Sequence, residues 1–181
     1  MSPQSPNVDP TSSEAAAVET AWRIHDKTAG ATGAVDSKAA FLFTVQSAAL
    51  VVVVTLSDQG RVLSRTGTPW ENMLLLAGML LLLIGALLSA TIVVPRLRFR
   101  AVRRRADEWK TNTVYFGHLR HWDPPELEAA LRDKPVLPML AEQLVHMSKI
   151  AWRKHVAAIV SLWVTLAGLA SVAWCTALVL Y

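Results

Sequence analysis

The segment Met73–Val94, MLLLAGMLLLLIGALLSATIVV, is a run of 22 residues without a charge. The hydrocarbon core of a bilayer is about 30 Å thick, which a helix of about 20 apolar residues crosses. Because lipid offers the backbone no hydrogen bonds, a spanning segment must satisfy its own polar groups, which a helix does. We therefore predict a transmembrane helix over residues 72–95.

Two further uncharged blocks lie on either side of this segment. Ala39–Leu56 contains 18 residues and Val156–Tyr181 contains 26, none of them charged. The first block is marginal in length and includes four consecutive valines, so a buried strand of a soluble protein is its alternative interpretation. We predict that both blocks span the membrane, as residues 39–57 and 156–181.

The composition agrees with a membrane protein. Of the 181 residues, 52% are hydrophobic and 18% are charged, against about 25% charged in ordinary globular chains. The mean hydropathy of +0.33 argues against a disordered chain. The one cysteine, Cys175, excludes an internal disulfide. We predict an all-α membrane protein with an N-terminal cytoplasmic helix, three transmembrane helices and a helical cytoplasmic insertion between the second and third.

The segments outside the spans are predicted from local signals. Residues 1–13 are expected to form a disordered tail and residues 14–38 a helix, which Gly30 and Gly33 should weaken. Residues 58–71 form a loop and residues 96–155 a basic segment. In that segment, Asp123 followed by proline predicts a short helix to about Asp133. A second helix is predicted from Pro138 into the last span.

Lysine and arginine predict the orientation. Thirteen of the 18 basic residues fall between Arg96 and Lys154, six of them arginines before residue 106, whereas the loop 58–71 has two. By the positive-inside rule, segment 96–155 and the N-terminus are cytoplasmic, and the loop and the C-terminus face the opposite side. The arginine run is interpreted first as a membrane anchor; its alternative role is phosphate binding by one or two arginines.

Catalytic and metal-binding patterns are absent from the sequence. There is no HExxH, CxxC, G-x-S-x-G or phosphate-binding glycine loop. His118 and His121 lie three apart near Asp123, which is short of the ligands that zinc needs. We expect no catalytic residue, no metal and no cofactor, and hence not an enzyme. The net charge of +6 on segment 96–155 is accounted for by its place beside a bilayer, so we expect no nucleic-acid partner.

Polar and small residues inside the spans predict helix association. Small residues let helices approach closely, and polar ones hydrogen-bond between helices. A bundle or a homo-oligomer is therefore expected. The residues concerned are Gln46, Gly78, Gly85, Ser89, Ser161, Gly168 and Ser171.

Four short motifs occur in a characteristic order along the chain. DSKAA (Asp36–Ala40) opens the first span, and NTVYFGH (Asn112–His118) lies in the basic segment. LAEQ (Leu140–Gln143) and MSKIA (Met147–Ala151) follow, with Lys154 before the last span. In this order and topology, the sequence from about residue 14 to 180 resembles the transmembrane Pycsar effectors.

The resemblance implies a role in bacterial anti-phage defence. A partner cyclase makes a cyclic pyrimidine nucleotide, cUMP or cCMP, and the effector binds it and disrupts the inner membrane, which causes abortive infection. It therefore implies an inner-membrane protein with a cytoplasmic N-terminus and a periplasmic C-terminus. The base edge is expected to meet Asp36 and Gln143, and the phosphate Lys38, Lys149 and Lys154. The remaining candidate contacts are Tyr115, Phe116 and His118.

Each of these residues has a structural alternative, namely packing at the cytoplasmic ends of the spans. The stripe of His146, Lys149 and Arg153 on one helix face is a candidate anion site beside Lys154. Its alternative is a solvated surface or a cluster at the membrane interface. For the whole protein, one alternative is a constitutive scaffold that anchors a partner in the membrane. Another alternative is an ion channel with a different trigger.

Overall fold

The computed structural model describes residues 10–58, 63, 68–94 and 113–180, and within these residues it contains helices and no strand. The described residues form five α-helices. They are α1 (Pro10–Ser57), α2 (Pro69–Val93), α3 (Phe116–Leu119), α4 (Pro124–Asp133) and α5 (Val136–Leu180). Three of these helices, α1, α2 and α5, are long and apolar enough to cross a membrane. The predicted all-helical class and three candidate spans are therefore confirmed.

The described residues form two compact units. The first unit contains α1 up to Ala31, α3, α4 and α5 up to Ala151. The second unit contains the rest of α1 from Thr32, all of α2, and α5 from Trp152. The apolar spans therefore belong to one unit, and the polar ends of the two long helices belong to the other.

Helix α1 continues through the two glycines that were expected to weaken it. A glycine keeps its backbone donor and acceptor, so it lowers helix stability by about 1 kcal/mol without breaking the hydrogen-bond ladder. No heavy atom lies within 4 Å of a Cβ built on Gly30 or Gly33. The helix also begins at Pro10, inside the predicted tail, whereas residues 1–9 lie outside the described residues.

Helix α2 begins at a complete capping box. The Thr68 side chain accepts from the Glu71 backbone N–H at 3.3 Å, and the Thr68 N–H donates to the Glu71 carboxylate at 3.4 Å. Pro69 occupies the first helical position, where its missing N–H costs nothing. The helix consequently starts a few residues before the apolar block does.

The helices of the basic segment follow their sequence signals closely. Helix α4 starts at Pro124 and ends at Asp133, with Asp123 at the N-cap position but without a side-chain capping bond. Helix α5 starts at Val136 and continues without interruption to Leu180, as predicted from Pro138 onward. The arginine run 96–105 lies outside the described residues.

The buried positions of the second unit repeat with alternating spacings of three and four residues. In α2 they include Gly78, Leu82, Gly85, Ser89 and Ile92, and in α5 they include Ser161, Thr165, Gly168 and Cys175. In α1 they are Val35, Ala39, Gln46 and Val53, at spacings of four, seven and seven residues. Such a period of 3.5 residues is typical of a left-handed helix bundle.

The interior of this unit combines buried apolar residues with small and polar ones, and large apolar residues also cover its outside. Leu76 and Leu87 of α2 are 58% and 60% exposed, and Trp163 of α5 is 67% exposed. Gly78 and Gly168 bring α2 and α5 together, since a Cβ on either glycine would lie 3.1 Å from the other's carbonyl oxygen. An apolar outside is unfavourable in water and suits lipid, as expected for a membrane bundle.

Candidate functional site

The strongest polar contact among the candidate site residues joins α1 to α5 within the second unit. Lys154 Nζ donates to both Asp36 carboxylate oxygens, at 2.6 and 2.8 Å. The two side chains are 25% and 35% exposed, so the pair is partly desolvated and still reachable from solvent. The sequence analysis expected these residues to contact a nucleotide, and the structure shows that they contact each other.

The surroundings of this pair are apolar on one side. Val35, Ala39 and Ile92 form a buried cluster, against which Ala157 and Ala158 pack. Asp36 follows Val35 directly, and Lys154 precedes Ala157 by less than one helical turn. The ion pair therefore adjoins this apolar cluster in sequence, and both of its side chains remain partly exposed.

The other two candidate lysines are exposed. Lys38 lies one residue before buried Ala39, and its side chain is on the outer face of α1. Lys149 shares the exposed face of α5 with Glu142, His146 and Arg153. The opposite face carries buried Leu140 and half-buried Met147. The amphipathic pattern is thus confirmed, and both lysines are accessible to an anion from solvent.

An aromatic pair lies in the first unit, next to α3. The rings of Tyr115 and His118 meet edge to face, with centroids 5.1 Å apart and an interplanar angle of 88°. The Tyr115 ring passes over Gly117, where an added Cβ would lie only 2.5 Å from Cε1. Glycine between these residues is therefore needed for the ring position. Phe116 begins α3, and its side chain lies outside the described part.

The eight candidate residues divide between the two units. Asp36, Lys38 and Lys154 belong to the second unit. Tyr115, Phe116, His118, Gln143 and Lys149 belong to the first. Gln143 is half-buried on α5. Members of the set contact each other in the Asp36–Lys154 ion pair and in the Tyr115–His118 ring contact.

Two features escaped the sequence analysis. Thr165 hydrogen-bonds to Gln46 inside the bundle, and its place four residues after Ser161 could have indicated a shared buried face. Lys134 Nζ lies 5.4 Å from the centroid of the Trp122 ring, a cation–π contact between the two ends of α4. No local pattern predicts the cation–π contact, because it depends on the direction that the chain takes after α4 ends.

The described part of the chain holds no group of three or more His, Cys, Asp or Glu side chains that could bind a metal ion. A lysine held by one carboxylate can exchange it for another oxyanion, such as a phosphodiester. An aromatic ring can stack on a base.

Comparison with known families gives one assignment. A family model described as the Pycsar effector protein domain matches residues 20–181, which is most of the chain. No curated protein and no solved structure matches the sequence. With three helices able to span a bilayer, the chain belongs to the Pycsar effector family and is a multi-pass membrane protein of Pycsar-type anti-phage defence.

Proposed function

We propose that this protein binds a cyclic pyrimidine nucleotide, cUMP or cCMP, on its cytoplasmic side and then disrupts the bacterial inner membrane. The nucleotide comes from a partner cyclase that responds to infection, and the outcome is abortive infection. The observation that carries the proposal is the family match over residues 20–181, in a chain with three candidate spans. The protein acts as a homo-oligomer, without enzymatic activity of its own and without a cofactor.

The orientation follows from the distribution of basic residues. Segment 96–155 holds 13 basic and seven acidic side chains, and it lies between the second and third spans. A cytoplasmic position for this segment satisfies the positive-inside rule. With three spans, the N-terminus is then cytoplasmic and the C-terminus periplasmic.

The phosphate subsite is proposed at Lys154. Its present partner, Asp36, offers two oxygens that share one negative charge, as does the phosphodiester of a cyclic nucleotide. The two anions therefore compete for the same ammonium group. In the free protein Asp36 holds Lys154, and the bound nucleotide replaces it. Lys38, which is exposed two residues after Asp36, adds a second positive charge on α1.

The candidate contacts in the first unit are considered by themselves. The edge-to-face geometry of Tyr115 and His118 fixes the plane of each ring. A fixed ring loses less conformational freedom when a base stacks on it. Phe116, Gln143 and the exposed Lys149 complete this group of candidate contacts.

Binding causes a response only if the nucleotide prefers the active arrangement over the resting one. Replacement of Asp36 by a ligand phosphate provides such a preference, because it removes a tie between α1 and α5. Loss of that tie favours arrangements in which the two helices separate.

The proposal is tested by thermal unfolding of the detergent-solubilised full chain with 3′,5′-cyclic nucleotides. A ligand that binds only the folded state raises the melting temperature with its concentration. We expect a shift with cUMP or cCMP and none with cAMP. A cooperative transition that no cyclic nucleotide shifts would contradict the proposal and favour a constitutive membrane scaffold.

A further inference from the structure

A layer of buried polar side chains crosses the interior of the bundle. We call it the polar layer: Gln46 of α1, Ser89 of α2, and Ser161 and Thr165 of α5, none more than 3% exposed. Gln46 Nε2 donates to Ser161 Oγ at 3.2 Å and also to Thr165 Oγ1. Ser161 Oγ lies 2.8 Å from Ser89 Oγ. All three membrane-spanning helices are thus joined in one hydrogen-bonded layer.

Apolar residues enclose this layer on both sides. Towards the Asp36–Lys154 pair lies the cluster of Val35, Ala39 and Ile92. Towards the other end lies a second cluster that includes Val53, Leu82 and Cys175. Because the layer is sealed from water, its hydrogen bonds have no solvent competitor within the folded bundle.

The hydroxyl groups settle how the Gln46 amide is oriented. Thr165 Oγ1 donates to the Ser161 carbonyl at 2.7 Å, and Ser161 Oγ donates to the Gly85 carbonyl at 3.0 Å. Both oxygens therefore accept from the amide nitrogen, so Nε2 must face them. Gln46 Oε1 is then a buried acceptor with no hydrogen-bond partner among the described residues.

The polar layer also favours this register of α1 over registers shifted along the helix axis. The buried face of α1 repeats every seven residues, with Ala39, Gln46 and Val53 at equivalent positions. A shift of α1 by one heptad would place an apolar residue opposite Ser161 and would bury Gln46 among apolar side chains. One polar residue at a core position fixes register in coiled coils for the same reason.

We propose that the hydrogen bonds of the polar layer stabilise the resting arrangement of the bundle. We also propose that in the membrane-disrupting arrangement Gln46 no longer contacts Ser161 and Thr165. The bonds of the layer favour the closed register. The second half of this proposal rests on the proposed function, whereas the first half concerns the packing alone.

The decisive variant is Gln46→Met, which has a similar length and no polar group. It leaves no new unsatisfied hydroxyl, because Thr165 and Ser161 still donate to backbone carbonyls. The variant therefore folds and inserts while α1 loses its polar tie. The control is Thr44→Val on the same helix, since the exposed Thr44 hydroxyl donates only to the Ala40 carbonyl.

Two measurements on the purified full chain in vesicles of phosphatidylethanolamine and phosphatidylglycerol test the proposal. The first is the rate at which a permeant maleimide labels the buried Cys175 without nucleotide. The second is nucleotide-free release of an entrapped dye. Interhelical hydrogen bonds in membranes change such equilibria by factors of roughly 3 to 30. We expect Gln46→Met to raise both rates on the order of tenfold, and Thr44→Val to match the wild type.

The outcomes distinguish stabilisation by the polar layer from the proposed function. Labelling of Cys175 at the same rate in Gln46→Met, Thr44→Val and wild type contradicts stabilisation by the polar layer, whether or not dye is released. Faster labelling in Gln46→Met supports it. If Gln46→Met labels faster at Cys175 while neither the variants nor the wild type release dye, even with cUMP or cCMP, that result supports stabilisation by the polar layer and contradicts membrane disruption.

Discussion

The Asp36→Asn variant gives the sharpest test of how the ion pair relates to a ligand. In the structure, the Asp36 carboxylate occupies Lys154 through two short contacts. Asparagine keeps the shape and one hydrogen-bond acceptor, but removes the negative charge. If the nucleotide phosphate competes with Asp36 for Lys154, the variant should bind cUMP or cCMP more tightly than the wild type does.

The expected gain follows from the exposure of the pair. Fully exposed ion pairs contribute about 0.2–1 kcal/mol, whereas breaking a buried pair costs about 3–5 kcal/mol. Asp36 and Lys154 are 35% and 25% exposed. After allowance for solvent screening, and because asparagine still accepts a hydrogen bond, we expect Asp36→Asn to gain about 1 kcal/mol in the free energy of nucleotide binding. That free energy corresponds to roughly fivefold tighter binding.

Isothermal titration calorimetry of the detergent-solubilised chain measures this change. Asp26→Asn is the matched control, since Asp26 is an exposed carboxylate on the same helix and its contact is with His25. Lys154→Met should abolish nucleotide binding in the wild type and in both aspartate variants. Weaker binding by Asp36→Asn, with Asp26→Asn unchanged, would refute the competition and make Asp36 a direct ligand contact.

Four further predictions concern helix packing, helix stability, the exposed lysine and topology. Gly78→Ala should destabilise the protein by about 1–3 kcal/mol and lower its melting temperature in detergent, because the new Cβ meets the Gly168 carbonyl at 3.1 Å. Gly30→Ala, in open space, should stabilise α1 by up to about 1 kcal/mol. Lys149→Ala should abolish nucleotide-dependent toxicity in cells while membrane insertion, measured by fractionation, is unchanged; retained toxicity would remove Lys149 from the site. Alkaline phosphatase should be active when it is fused to the C-terminus and inactive when it is fused to the N-terminus. The reverse pattern would contradict the positive-inside assignment.

The sequence predicts the membrane helices well because their signal is local. Uncharged blocks of the right length need no tertiary information to be recognised, and α2 and the apolar half of α5 lie where the blocks are. The continuity of α1 through Gly30 was harder to predict. Glycine content indicates a weak point, but whether a helix breaks depends on a turn or a competing contact, and neither occurs there.

The site was less predictable because its contacts are distant in sequence. Asp36 and Lys154 are separated by 118 positions, and no periodicity links them. Short motifs selected both residues, but their ionic contact with each other emerged only from the packing of α1 on α5. The same limit applies to Gln46, whose polarity was noticeable, whereas its partner Thr165 was not.

Nucleotide-triggered permeabilisation is the central claim, and dye release from vesicles that contain the purified wild-type chain tests it most directly. The vesicles carry phosphatidylglycerol, the dye is entrapped, and the nucleotide is supplied on the side of segment 96–155. The account predicts rapid release with cUMP or cCMP, no release with cAMP, and none from Lys154→Met with any nucleotide. Release that is the same with and without every cyclic nucleotide would contradict it.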